Sequence, residues 1–71
     1  MYHYRIVIEK ANGNYSAYCP DLPGCIATGK TRTEVEINMD KAIAMHVKGM
    51  IEDQLPIPDG VTHAEYIAVM V

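Results

Sequence analysis

Thr31-Arg-Thr-Glu34-Val35-Glu-Ile-Asn38-Met39-Asp-Lys-Ala42-Ile43-Ala-Met-His46-Val-Lys-Gly-Met50 is the longest periodic stretch of the chain, and its reading decides the fold. Val35, Met39, Ala42, Ile43, His46 and Met50 recur at spacings of three and four, which makes one apolar stripe along a helix of nearly six turns. Thr31-Arg-Thr-Glu34 reads as a capping box. The threonine oxygen accepts the third amide of the helix, and Glu34 reaches back to the cap amide. Downstream, Pro56 and Pro58 end any helix, and Pro56-Ile-Pro58-Asp-Gly60 reads as an extended connector.

Upstream, Tyr2 to Glu9 alternates, with Tyr2, Tyr4, Ile6 and Ile8 on one face and His3, Arg5 and Glu9 on the other. A period of two is the signature of a half-buried strand. Asn12-Gly13 supplies the left-handed residues of a tight hairpin. A second strand follows from about Tyr15 to Cys19, a turn is bracketed by Pro20 and Pro23, and Cys25-Ile-Ala-Thr28 reads as a third strand ending at Gly29. From about Thr62 to Val71 the chain reads as a last strand. The expected order is β-β-β-α-β: an antiparallel meander, one helix on one sheet face, and a last strand returned parallel to the first by a right-handed crossover. This is an α/β, or α+β, two-layer sandwich in a single domain, residues 1–71.

Composition fits that architecture. A chain of 71 residues buries only about 60% of its unfolded surface, so its core is thin. Apolar residues make up 49%, too many for a disordered chain. No apolar run approaches a membrane span, and Met1-Tyr-His-Tyr-Arg5 lacks the apolar region of a signal peptide, which predicts a cytoplasmic protein. A reducing cytosol would keep Cys19 and Cys25 as buried thiols. The net charge of −3 with scattered bases disfavours nucleic acid and suits a basic protein partner. Lys10, Lys30 and Arg32, if they gather, make only a weak basic patch.

Catalytic and metal chemistry find little support. Gly24-Cys-Ile-Ala-Thr-Gly29-Lys30-Thr31 satisfies the pattern of a phosphate-cradling loop. That loop needs a buried strand before its first glycine, and Pro20 and Pro23 stand there instead. Cys-Ile-Ala-Thr also reads as strand rather than loop, so Gly24 and Gly29 bound a strand and Thr31 is a cap. His3, His46 and His63 lie on three different elements, and the cysteine spacing is not that of a zinc site. His46, on the apolar stripe, reads as a hydrogen-bonded core residue. No metal or cofactor is called for. One oddity remains: in Tyr66-Ile-Ala-Val-Met-Val71 both faces are apolar, and one helix covers only one face of a sheet. Burial of Ile67, Val69 and Val71 therefore calls for a second subunit, a dimer or larger.

With those residues in hand, the chain resembles the HicB-like antitoxins of toxin–antitoxin systems. The likeness lies in Tyr15-Ser-Ala-Tyr18 leading to Pro20-Asp-Leu-Pro-Gly24-Cys25, in Gly29-Lys-Thr31 before a helix with Glu34, Asn38 and Ala42-Ile43, and in Pro56-Ile-Pro58 after it. It covers almost the whole chain in order. The resemblance implies a partial ribonuclease-H-like fold. Lys30 stands where the family commonly has an acidic residue. Many relatives continue into a C-terminal helix-turn-helix or ribbon-helix-helix domain, which the residues here do not include, so direct DNA binding is not expected. A ribonuclease-H site needs several carboxylates converging on two metal ions. The first strand offers His3, Arg5 and Val7, with Glu9 only at its end, and Glu36, Asp40 and Glu65 show no convergent spacing. The site reads as lost and the protein as no enzyme.

The resemblance implies an antitoxin-like binding protein that occludes a small basic HicA-type toxin, an mRNA-cleaving ribonuclease with a double-stranded-RNA-binding-like fold. Part of the contact is expected on the turn Asp21-Leu22-Pro23-Gly24, which would display an acidic and an apolar residue. The alternative from another class is a stand-alone oligomeric regulator or small-ligand binder of the same fold, without a toxin. A short basic neighbouring gene separates the two.

Overall fold

The computed structural model describes residues 2–71, in the order β1 (Val7–Ala11), β2 (Asn14–Tyr18), β3 (Ile26–Gly29) and α1 (Arg32–Glu52). The strands form one antiparallel sheet in the order β1-β2-β3. Asn12 and Gly13 both take positive φ, 48° and 76°, and close the β1–β2 hairpin as their sequence predicts. Val7 pairs with Tyr18 and Ala11 with Asn14; Ala17 pairs with Ala27 and Tyr15 with Gly29. The pairing begins only at Val7, not at Tyr2. Tyr2, on the alternating face with Tyr4, is exposed, and its ring stacks on that of Tyr4 with centroids 6.4 Å apart.

Thr31 caps α1. Its Oγ1 accepts the Glu34 amide at 3.0 Å, while the reciprocal bond from the Glu34 carboxylate is absent among the described residues. The helix ends before the prolines act. Gln54 takes a left-handed φ of 57°, the Leu55 amide donates to the Met50 carbonyl at 2.9 Å and the Gln54 amide to that of Ile51 at 3.1 Å. This is a Schellman ending, with glutamine in the place glycine usually fills.

The helix lies across one face of the sheet, over β3 and β2. Val35 and Met39 are buried against Ala17, Cys19, Leu22 and Cys25, and these six side chains are the buried hydrophobic core among the described residues. Tyr4, Ile6, Ile8, Ile43, Val47 and Met50 pack around it half-exposed. Gly29 sets how closely the helix approaches: a Cβ there would sit 2.6 Å from the Val35 amide nitrogen. A 21-residue helix spans about 31 Å, whereas strands of four or five residues span about 15 Å. The helix is therefore about twice as long as any strand it crosses, and its second half still packs Ile43, Val47 and Met50 around the core.

The expected fourth strand does not form. Residues 55–71 hold no regular secondary structure, and among the described residues no backbone hydrogen bond joins them to β1. Their course nevertheless follows the N-terminal segment. The Tyr4 hydroxyl donates to the Pro58 carbonyl at 2.6 Å. Gly60 lies so close to His3 that a Cβ would overlap its carbonyl oxygen. Thr62 shares a cavity with Ile6, and Tyr66 one with Ile8 and Lys10. Residue numbers rise together in the two segments, so the tail runs in the direction of β1 without pairing to it. The molecule is an α+β fold of three antiparallel strands and one helix.

Candidate interaction surface

The run Pro20-Asp-Leu-Pro-Gly24-Cys25 builds two turns in tandem. The Leu22 amide donates to the Cys19 carbonyl and the Cys25 amide to the Leu22 carbonyl, both at 3.1 Å. In the second turn Pro23 occupies the position that wants φ near −65°, and Gly24 follows with φ of 83°, the combination of a type II turn. Reversing direction twice aims Leu22 at the sheet. Its side chain is only 1% exposed and belongs to the core. The expectation that the turn displays Leu22 to a partner is therefore corrected: an apolar side chain at this joint gains more from burial than from solvent exposure. Pro23 and Gly24 are exposed, and Asp21 is half-buried.

Asp21 is occupied within the chain. Its Oδ1 accepts the Thr62 hydroxyl at 2.9 Å and its Oδ2 the Thr62 amide at 3.3 Å. With the Tyr4–Pro58 bond and the Gly60 contact, this clamp fixes the connector from Pro56 to Thr62 across the β2–β3 turn. Nothing in the sequence pairs residues 41 positions apart, so the clamp was not visible there. Burial first, then the neighbouring Tyr2, Cys19, Asp59 and Asp21, raises the Tyr4 hydroxyl above its ordinary value and keeps it a donor.

Beside the turn, Gly24, Cys25 and Ile26 face Ala42, Met45 and His46 across a mostly apolar groove of about 340 Å³. His46 lines this groove half-buried rather than sitting in the core. Ile26 and Met45 are 69% and 74% exposed. On the sheet face away from the helix, Val7, Tyr18 and Ile26 are cross-strand neighbours and make an apolar row. Sequence reasoning passed over Ile26 and Met45. The available signal was an apolar residue at a strand's first position and another off the helix stripe. The tail adds a third apolar element: Ile67 and Val69 are 84% and 74% exposed, and Val71 is fully so.

Polar constellations are sparse. Lys10 and Arg32 line one cavity of about 350 Å³ with Tyr15 and Tyr66, but Lys10 lies over the Tyr15 ring and Arg32 pairs with Glu36 at 3.2 Å. Among the described residues no three metal-ligating side chains come together. Ile26–Gly29 is a strand, so the phosphate-loop pattern makes no cradle. Among the described residues no helix is long and apolar enough to cross a membrane.

A profile described as the HicB-like antitoxin of bacterial toxin–antitoxin systems matches residues 4–69. The chain belongs to this family. A chain of the HicA3 and HicB3 toxin–antitoxin complex superposes on it with a TM-score of 0.71 and 28% identity, over 84% of this chain and 70% of that one. A 14.9 kDa protein from the rep–hol intergenic region of Haemophilus phage HP1 is 41% identical over 64 residues. That alignment takes in 90% of this HicB-like chain but only 48% of the phage protein, so the chain spans about half that relative's length. A UPF0150 protein of Synechocystis is 36% identical over 82% of this chain and 75% of its own, and one from Thermoplasma acidophilum 36% over 78% and 81%.

Proposed function

We propose that this HicB-like protein acts in the cytoplasm, without catalytic activity of its own, by neutralising a small basic HicA-type toxin that cleaves mRNA, covering the surface with which the toxin meets RNA. The observation that carries this reading is the likeness to a chain of a solved toxin–antitoxin complex over most of both lengths. The net charge of −3 suits a basic partner and speeds encounter, while apolar contacts set the lifetime. Exposed apolar groups for the second task lie at one end of the molecule: Pro23 and Gly24 on the turn, and Ile26 and Met45 across the groove. Asp21 contributes charge there. Leu22 acts from beneath, as the residue that shapes the turn.

Co-expression tests the reading. The small gene beside this one, expressed alone, should arrest growth; expressed with this chain, growth should resume and the two products should co-purify. A harmless neighbour, or one that fails to bind, overturns it. Ile26→Glu and Met45→Glu, both at exposed positions, should keep the fold and weaken co-purification. Self-association through Ile67, Val69 and Val71 is a separate part of the proposal, supported by their exposure.

A further inference from the structure

The β2–β3 register continues past the last paired strand residues. Tyr18 opposes Ile26, so the next pair inward to the turn is Cys19 and Cys25, and the Cys19 amide donates to the Cys25 carbonyl at 3.2 Å. Both side chains point to the sheet face that carries Ala17 and Ala27, both are buried, and both are free thiols. Only five residues separate them, and these are the tandem turn that carries Asp21. Two cysteines of a 71-residue chain are thus placed opposite each other at the neck of one loop.

We propose that Cys19 and Cys25 form a reversible, oxidisable dithiol, a modification site that staples the neck of the Pro20–Gly24 turn. Opposed residues of a hydrogen-bonded antiparallel pair have Cα atoms about 5.5 Å apart, inside the span a disulfide bridges. Their Cβ atoms lie toward the wide end of roughly 4.5–5.5 Å, whereas a disulfide brings them to about 3.8 Å. Closing the bond therefore draws the two Cβ atoms together by about 1.5 Å, and a bond formed under that tension is readily reduced again. In a reducing compartment the pair stays open; a low-molecular-weight disulfide is the oxidant that closes it. One cysteine thiolate attacks the oxidant and expels one thiolate, leaving a mixed disulfide. The second cysteine thiolate then displaces the remaining half. The protein gives up two protons and two electrons, and the oxidant leaves as two thiols. Burial, with the neighbouring Cys19, pushes the Cys25 thiol up, which lowers its thiolate fraction and slows its attack on the oxidant.

The consequence falls on the turn. A staple across its neck removes the local opening of the turn, and with it the freedom of Asp21 to release Thr62. The test uses the unaltered protein. Incubation with oxidised glutathione, followed by alkylation and intact-mass measurement, should give a monomer lighter by two hydrogen atoms, with no alkylated thiol and no bound glutathione. Mild dithiothreitol should restore two alkylatable thiols, and amide exchange at Leu22 and Cys25 should be at least several-fold slower in the oxidised form. Two alkylatable thiols after incubation, a stable glutathione adduct on either cysteine, or a disulfide between two chains would each overturn the proposal. Urea-unfolded protein run in parallel shows that the reagent is active, so an unreacted native chain counts against the proposal.

Discussion

Replacing Leu22 with alanine separates a core role from a contact role. Leu22 is 1% exposed and sits with Val35 and Met39 among the most completely buried side chains. Truncating a buried leucine costs the lost transfer energy plus a cavity term, together about 2.7–5 kcal/mol. The core holds only six buried residues among those described, few enough for neighbours to collapse partly, which favours the low end, about 3 kcal/mol. A domain of 71 residues has roughly 4–10 kcal/mol of stability in all. Leu22→Ala should thus remove about 30% of it or more and lower the urea midpoint with an unchanged slope. Equilibrium urea unfolding followed by circular dichroism measures this directly. A loss below about 1 kcal/mol, combined with lost partner binding, would refute the argument. Leu22 would then be a displayed contact after all.

Thr31→Ala removes the oxygen that accepts the Glu34 amide and should cost about 1 kcal/mol in the same assay. Tyr4→Phe deletes the bond to the Pro58 carbonyl and should cost about 1 kcal/mol at neutral pH. Because folding raises the Tyr4 pKa, its contribution is complete below the unfolded phenol value and is lost as pH rises through the higher folded one. The wild type should therefore lose more stability than the variant when titrated above about pH 10. Val69→Glu, at an exposed position, should leave the unfolding midpoint of the monomer unchanged while lowering the mass seen by sedimentation at micromolar concentration. A wild-type protein that is already monomeric there removes the tail from any self-contact.

What the sequence disclosed was the local chemistry. Asn12-Gly13 and the Thr31 cap each act within a few residues and are found as read, and the helix stripe holds at Val35, Met39, Ala42, Ile43 and Met50, while Val47 takes the packed place expected of His46. What it hid depends on partners distant in the chain. Alternation from Tyr2 to Glu9 reports which face a side chain takes, not whether a neighbouring strand reaches it. β2 ends at Tyr18, ahead of Pro20, and nothing remains for residues 2–6 to pair with. Leu22 misled for a related reason. A run rich in proline and glycine reads as exposed loop, and only two consecutive turn bonds show that its middle residue is aimed inward. The run Pro20-Asp-Leu-Pro-Gly24-Cys25 is thus legible as a turn, while its packing is not.

The two edges of the sheet are unequal, and this bears on how a HicB-like chain of this kind meets another molecule. The closing pair Ala11–Asn14 of a two-residue hairpin is a hydrogen-bonded one, so Val7, Glu9 and Ala11 direct their amides and carbonyls at β2. Ile8 and Lys10 direct theirs outward. On β3 the same alternation leaves Ile26 and Thr28 facing out, but there the Asn38 side chain donates to the Thr28 carbonyl at 2.8 Å. A helix residue thus blocks strand addition at β3, a common way of protecting an edge. Among the described residues no such cap protects β1. The tail from Thr62 onward runs beside β1 without regular strand pairing, and its last part, Tyr66 to Val71, is apolar on both faces. Strand pairing is therefore the interaction this fold leaves open at β1, and side-chain contact is the one it leaves open at the turn and groove beside β3. A partner held at the second site need not displace anything at the first, so self-association through the tail and capture of a toxin at the turn are compatible in one molecule.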